Sequence, residues 1–233
     1  MKNLLLLSNS RMPGSAYLEH AVDLIAETLG PAKSVLLIPY ATVASTYDNT
    51  LENVRRALKR LNLQITGLHQ CNDPVSAIED APAILVNGGN TYHLLHQLRH
   101  KELIAPLRRN IHSGKPYVGW SAGSAICAPS IRTSNDMPII DPAGLDALGI
   151  FEFQLNAHYT NAVPPDWMGE TRDERLAEFL ALHPSMPVLG LPEGDWLRIR
   201  GNDITLGGPF PGKWFRAAAE PVAVRAGPLP SSK

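Results

Sequence analysis

The strongest constraint on the fold is a short apolar run, Tyr117-Val118-Gly119-Trp120, that breaks at Ser121-Ala122-Gly123-Ser124 and resumes as Ala125-Ile126-Cys127-Ala128. An apolar run of this length interrupted by small residues reads as a buried strand passing into a helix through a tight turn. The spacing Gly119-x-Ser121-x-Gly123 is that of a nucleophile elbow, where a strained turn exposes a serine hydroxyl and the glycines admit neighbouring backbone. Such a turn also aims free backbone N–H groups at whatever the serine attacks. A serine that merely caps a helix gives the same local pattern, so the motif alone leaves both readings open.

The preceding residues repeat the strand–helix alternation. Leu4-Leu5-Leu6-Leu7, Ser34 to Pro39, Leu63 to Leu68 and Ala83-Ile84-Leu85-Val86 read as strands, and Ala83 to Val86 is continuously apolar, as in a parallel sheet covered on both faces. Between them, Leu18, Val22, Ile25 and Leu29 fall at helical spacing, as do Leu51, Val54, Leu58 and Leu61. Short helices are expected at Pro74 to Glu79, Thr91 to Arg99 and Leu103 to Ser113. The pattern predicts an α/β fold with a three-layer, doubly wound, mostly parallel sheet. In such sheets ligands bind beyond the carboxyl ends of the strands, so the Asn87-Gly88-Gly89-Asn90 turn and the Ser121 turn should share an edge.

The second half is less regular. Arg132 to Asp146 is a long loop rich in Pro, Asp and Asn, and long loops of this kind tend to be functional. Phe151-Glu152-Phe153-Gln154-Leu155 alternates like a half-exposed strand, Arg172 to Leu182 reads as a helix opened by Thr171, and Val188 to Pro192 as a buried strand. Trp196 to Val224 reads as a short antiparallel part, and residues 227–233 as a frayed tail. With 233 residues and no linker or repeat, one domain spanning 1–233 is expected.

Composition narrows the function. A formal net charge of −1 without a basic block argues against nucleic-acid partners. The leucine run at the N-terminus is cut by Ser8-Asn9-Ser10-Arg11 too early for a signal peptide, and no run approaches a membrane span. Two distant cysteines, Cys71 and Cys127, suggest neither a disulfide framework nor a zinc site, which fits a cytoplasmic protein.

A serine nucleophile needs an imidazole base and a carboxylate to orient it. Eight histidines are present. His93, His96 and His100 share one helix face, but without a carboxylate cluster they read as a solvated face, so no metal is expected. His158, in Asn156-Ala157-His158-Tyr159, follows a predicted strand and so stands at a strand end like the two turns above. Glu193, in Leu191-Pro192-Glu193-Gly194, ends another apolar run the same way. A polar loop histidine and an ordinary turn glutamate remain the plain alternatives. The order Ser121, His158, Glu193 differs from the Ser–acid–His order of α/β-hydrolases; rescuing that fold would require Asp136 or Asp141 as the acid.

The motifs together resemble the peptidase E, or α-aspartyl dipeptidase, family of serine peptidases. The likeness runs through Leu4 to Ser10, Gly88-Gly89-Asn90-Thr91, Gly119 to Gly123, Arg132-Thr133-Ser134-Asn135-Asp136-Met137-Pro138, Gly169-Glu170-Thr171-Arg172 and Leu191 to Gly194. Asn87 stands where this family is expected to carry glycine. The resemblance implies a flavodoxin-like fold akin to class I glutamine amidotransferases, no metal or other cofactor, and hydrolysis of dipeptides with an N-terminal aspartate. It assigns Ser121 as nucleophile, His158 as general base and acid, Glu193 as orienting carboxylate, and the Gly89 and Ala122 N–H groups as oxyanion donors. Asn90 would line the pocket.

An N-terminal aspartyl residue presents an ammonium and a carboxylate together. Asp136 is the candidate for the first, with an Asx-turn role as alternative; Arg172 is the candidate for the second, with pairing to Glu170 or Asp173 as alternative. The expected partner is therefore a small Asp-Xaa peptide, met by a monomer or homodimer. An esterase, a hydrolase of another acidic peptide, and a non-catalytic binding module on the same scaffold are the competing readings.

Overall fold

The computed structural model describes residues 1–229. Five strands form the parallel part of the main sheet: β1 (Asn3–Leu7), β2 (Ser34–Ile38), β3 (Gln64–Gly67), β4 (Ile84–Val86) and β5 (Tyr117–Trp120), in the spatial order β1-β5-β4-β2-β3. Leu4 to Leu7 register against Tyr117 to Trp120, which puts β1 and β5 side by side. The strand–helix alternation read from the sequence is reproduced by α1 (Val22–Leu29), α2 (Tyr47–Ala57), α3 (Pro74–Asp80), α4 (Thr91–His100) and α5 (Ile104–Ser113).

Both faces of this sheet are covered, which is why its strands are apolar at successive positions. Leu5, Leu7, Leu37 and Val118 pack with Ile25 of α1 and Val54 of α2 on one face. Leu4, Leu6, Ile38 and Val86 pack with Leu94 of α4 and Leu107 of α5 on the other. All five strands run in one direction, so the chain segments after Leu7, Val86 and Trp120 emerge at one edge.

The C-terminal half departs from a single sheet with a short antiparallel extension. Strands β8 (Trp196–Arg200) and β9 (Asp203–Gly207) continue the main sheet antiparallel beyond β1. A second sheet forms separately, with β6 (Gln154–Ala157) parallel to β7 (Val188–Leu191), then β10 (Gly212–Phe215) and β11 (Val222–Val224) antiparallel. The apolar run at Val188 is thus buried as expected but in another sheet, since local hydrophobicity specifies burial and not the pairing partner.

Two boundaries also differ. The strand expected at Phe151 to Leu155 begins at Gln154; Phe151 and Phe153 instead stack at 4.4 Å ahead of it. Gln154 and Asn156 are buried because the 130–135 loop meets them: the Gln154 amide donates to Ser130 Oγ and the Asn156 amide to the Thr133 carbonyl. In the segment expected to fray, Gly227–Pro228 forms β12, paired antiparallel with Thr205 and Leu206 of β9; residues 230–233 lie outside the described residues. Helix α7 (Arg172–Leu182) opens as read from Thr171, with a capping box closed by Glu174. It covers the outer side of the second sheet through Leu176, Leu180, Val188 and Phe215.

Candidate active site

Ser121 sits between β5 and the short helix α6 (Ala122–Ala125) with φ 54° and ψ −114°. A non-glycine residue with positive φ is strained, and here the strain exposes the hydroxyl at the strand's carboxyl end. The flanking glycines are required by contact: a Cβ on Gly119 would stand 2.2 Å from the Gly123 carbonyl oxygen, and one on Gly123 2.2 Å from the Val86 carbonyl oxygen. The elbow therefore presses directly onto β4 and the turn that follows it.

His158 and Glu193 arrive from the other sheet. They follow the adjacent parallel strands β6 and β7, whose register pairs Ala157 with Leu191, so the two residues emerge at neighbouring strand ends. His158 Nε2 lies 2.9 Å from Ser121 Oγ, and His158 Nδ1 lies 2.7 Å from Glu193 Oε1. A carboxylate accepts and does not donate, so Nδ1 carries a proton, and in the neutral imidazole Nε2 is then the acceptor for the serine hydroxyl. His158 also has positive φ, 55°. The three residues brought together by sequence position are thus one connected relay, partly open to solvent.

The Asn87–Asn90 turn lies against the serine. A Cβ on Gly88 would be 3.0 Å from Ser121 Cβ. Gly89 has φ 149°, a conformation that glycine alone adopts easily. The Asn90 N–H is bound to the Ala41 carbonyl and the Ser121 N–H to the Leu7 carbonyl, whereas the N–H groups of Gly89 and Ala122 have no partner among the described residues. Asn87, in place of the expected glycine, is buried and donates to Thr42 Oγ1 and to the Gly88 carbonyl, both at 2.8 Å, which fixes the turn from behind.

The three residues assigned to substrate divide. Asn90 is committed to the scaffold: its Oδ1 caps α4 by accepting from the His93 N–H, and its Nδ2 donates to the Met137 carbonyl. Asp136 likewise caps α4, accepting at Oδ2 from the Thr91 N–H at 2.7 Å and from the Thr91 and Ser134 hydroxyls. Its backbone turn is closed by Ser134 Oγ rather than by an Asx turn of its own. Arg172 pairs with neither expected neighbour, because Glu170 faces Arg175 and Asp173 is taken by Lys213 and Tyr159. Its guanidinium is bound to Asn135 Oδ1, and Asn135 in turn donates to the carbonyl of Ala157, next to His158. Burial, and secondarily the charge of Arg175, lowers the pKa of this guanidinium, which has no carboxylate partner among the described residues.

Residues without an assigned role in the sequence reading complete the site. Ser8, Asn9 and Asp195 are buried beside the relay. They follow the first strand and the Glu193 turn, where chain position alone could have raised them. Of the histidines of α4, His93 Nδ1 meets the Tyr40 carbonyl and His96 Nδ1 the Asp141 carbonyl, and the His96 and His100 rings stack.

An α/β scaffold that presents serine, histidine and glutamate as a hydrogen-bonded relay at its strand ends defines a serine hydrolase. The model of peptidase family S51 matches residues 4–207. The chain is 47% identical over 224 residues to peptidase E of Salmonella paratyphi A (strain ATCC 9150 / SARB42), covering 96% of this chain and 98% of that protein. Peptidase E of Shigella flexneri matches to the same extent, and that of Citrobacter koseri is 46% identical over the same length. A crystal structure of a peptidase E candidate from Listeria monocytogenes EGD-e superposes with a TM-score of 0.69 at 24% identity, covering 90% of this chain and 99% of that one. The chain belongs to peptidase family S51, and it is a serine peptidase. Among the described residues no helix is long and apolar enough to cross a membrane.

Asp195 supplies a test of the site's packing by pH. Burial pushes its carboxyl up to about 6, and the Phe210 N–H, bound to one oxygen, only partly offsets this. Because the folded pKa lies above the unfolded value, the folded state holds the proton more tightly, so stability falls as pH rises from about 4 to about 6 and then levels. Denaturant titrations of Asp195→Asn should remove that fall. Relative to wild type the variant should gain on the order of 1–3 kcal/mol between pH 4 and pH 8; parallel curves would show that Asp195 stays ionised.

Proposed function

We propose that this serine peptidase hydrolyses dipeptides with an N-terminal aspartate through an acyl-enzyme formed on Ser121. The observation that carries the chemistry is the continuous relay from Ser121 Oγ through His158 to Glu193. His158 Nε2 takes the proton of the serine hydroxyl as Oγ attacks the scissile carbonyl, and the resulting imidazolium is stabilised by the Glu193 carboxylate. The carbonyl oxygen, now carrying the negative charge, is met by the unpartnered N–H groups of Gly89 and Ala122. One such donor is worth about 10²–10³ in rate in comparable sites. His158 then gives its proton to the departing amine, the C–N bond breaks, and the same imidazole activates water to release free aspartate from Ser121.

Selectivity for aspartate rests on Arg172. A half-buried guanidinium without a carboxylate partner, held by a neutral amide beside the base, is a poor arrangement for the empty protein and a good one for an acidic side chain. Asp136 has one oxygen engaged in capping α4 and a second, Oδ1, left for the substrate ammonium. The free state of Cys71 and Cys127 suits a reducing compartment such as the cytoplasm.

Purified Ser121→Ala protein should be folded and lose Asp-Leu hydrolysis; retained turnover would remove Ser121 from the mechanism. Arg172→Ala should lower kcat/KM for Asp-Leu by about 10²-fold or more, as expected for a charge-assisted bidentate contact. The same variant should change hydrolysis of a neutral-headed dipeptide much less, and equal losses on both would make Arg172 structural.

A further inference from the structure

The relay joins two sheets that share no ladder, so something must fix their strand ends relative to one another. Three consecutive residues, Leu7 at the end of β1 and the Ser8 and Asn9 that follow it, bond to the backbone of Ser121 and His158 and to the residues on either side of Glu193. The Leu7 carbonyl accepts from the Ser121 N–H at 3.0 Å and from Ser124 Oγ at 2.7 Å, which ties down the elbow. Ser8 Oγ accepts from the His158 N–H and donates to the Leu191 carbonyl, both at 2.8 Å. The Ser8 N–H donates to the Asp195 carbonyl, and Asn9 Oδ1 accepts from the Gly194 N–H, each at 2.9 Å, on the far side of Glu193.

We propose that Ser8 and Asn9 are positioning residues for catalysis, a brace that sets His158 and Glu193 against Ser121. This rests on the proposed roles of the three relay residues. The left-handed conformation of His158 turns its N–H out of the ladder just past the Ala157–Leu191 pair. Ser8 Oγ fills that gap, bridging the two strands whose ends carry the base and the acid. The His158 N–H needs an acceptor there, and the same hydroxyl gives the Leu191 carbonyl a second donor beside the Tyr159 N–H, which a methyl does not. Ser8 is wholly buried and Asn9 nearly so, so water does not replace either side chain at no cost. Neither touches substrate; Ser8 acts through the backbone of His158 and Asn9 through the turn that carries Glu193. Because a relay is sensitive to displacements of about 1 Å, the brace governs turnover more than binding.

The test compares Ser8→Ala and Asn9→Ala with Val35→Ala, a core variant on the α1–α2 face that reports a purely structural loss. Each is assayed well below its melting temperature for kcat, KM and pH profile on Asp-Leu, and for the rate at which a fluorophosphonate labels Ser121. For Ser8→Ala, kcat and the labelling rate should fall together by about 10–100-fold while KM stays within about threefold. Its downfield Nδ1 proton resonance, the signature of the His158–Glu193 hydrogen bond, should broaden or vanish. Asn9→Ala should show a smaller loss of kcat with a shifted pH profile, and it carries the test should Ser8→Ala not fold. Val35→Ala should melt lower with kcat unchanged. Wild-type kcat and labelling in the two brace variants, alongside an inactive Ser121→Ala, would overturn the brace alone; an active Ser121→Ala would overturn the site reading beneath it.

Discussion

The 2.9 Å contact between His158 Nε2 and Ser121 Oγ is made between residues that the chain delivers from separate sheets, and much of the molecule is arranged around that meeting. The parallel sheet supplies a rigid edge: β1 and β5 lie side by side, apolar on both faces, and lead into Ser8 and Ser121. The second sheet supplies His158 and Glu193 from adjacent strands. Strain is present on both sides of the meeting point, with positive φ at Ser121 and at His158. Such conformations cost of order 1–3 kcal/mol each and persist where surrounding bonds over-determine them, as those to Leu7 and Ser8 do.

The electrostatics have a matching division. The relay is partly open to solvent, and its chemistry follows from geometry and tautomer. Around it the structure keeps charges in poor environments: Arg172 is half-buried against an amide, and Asp195 is buried with one oxygen unpartnered. A half-buried charge without an opposite charge is costly and asks for an explanation. For Arg172 the explanation offered is the substrate carboxylate, which would turn a desolvation penalty in the empty protein into selectivity when bound.

Much of this was legible in the sequence, for physical reasons that can be stated. Doubly covered strands must be continuously apolar, so Leu4 to Leu7 and Ala83 to Val86 announced themselves, and an elbow needs small residues at Gly119 and Gly123 whatever its fold. His158 and Glu193 are visible because each follows a predicted strand. What local pattern does not encode is which sheet a strand joins, so the run at Val188 marks a buried strand without revealing the second sheet. The start of β6 was misplaced because Gln154 and Asn156, polar by type, are buried by partners from a loop distant in sequence. Asn90 Oδ1 and Asp136 Oδ2 both cap α4, which leaves Asp136 Oδ1 without a partner among the described residues; a cap and a ligand use the same chemistry, and spacing alone does not separate them.

The central claim is that one carbonyl is met simultaneously by Ser121, by the Gly89 and Ala122 N–H groups, and by Arg172 through the neighbouring carboxylate. A crystal structure of the protein with an aminoboronic acid analogue of aspartate measures all of these contacts at once. The account predicts boron bonded to Ser121 Oγ, one boron oxygen within hydrogen-bond distance of both N–H groups, and the analogue's carboxylate on the Arg172 guanidinium. Boron bonded elsewhere, or a carboxylate pointing away from Arg172, would contradict it.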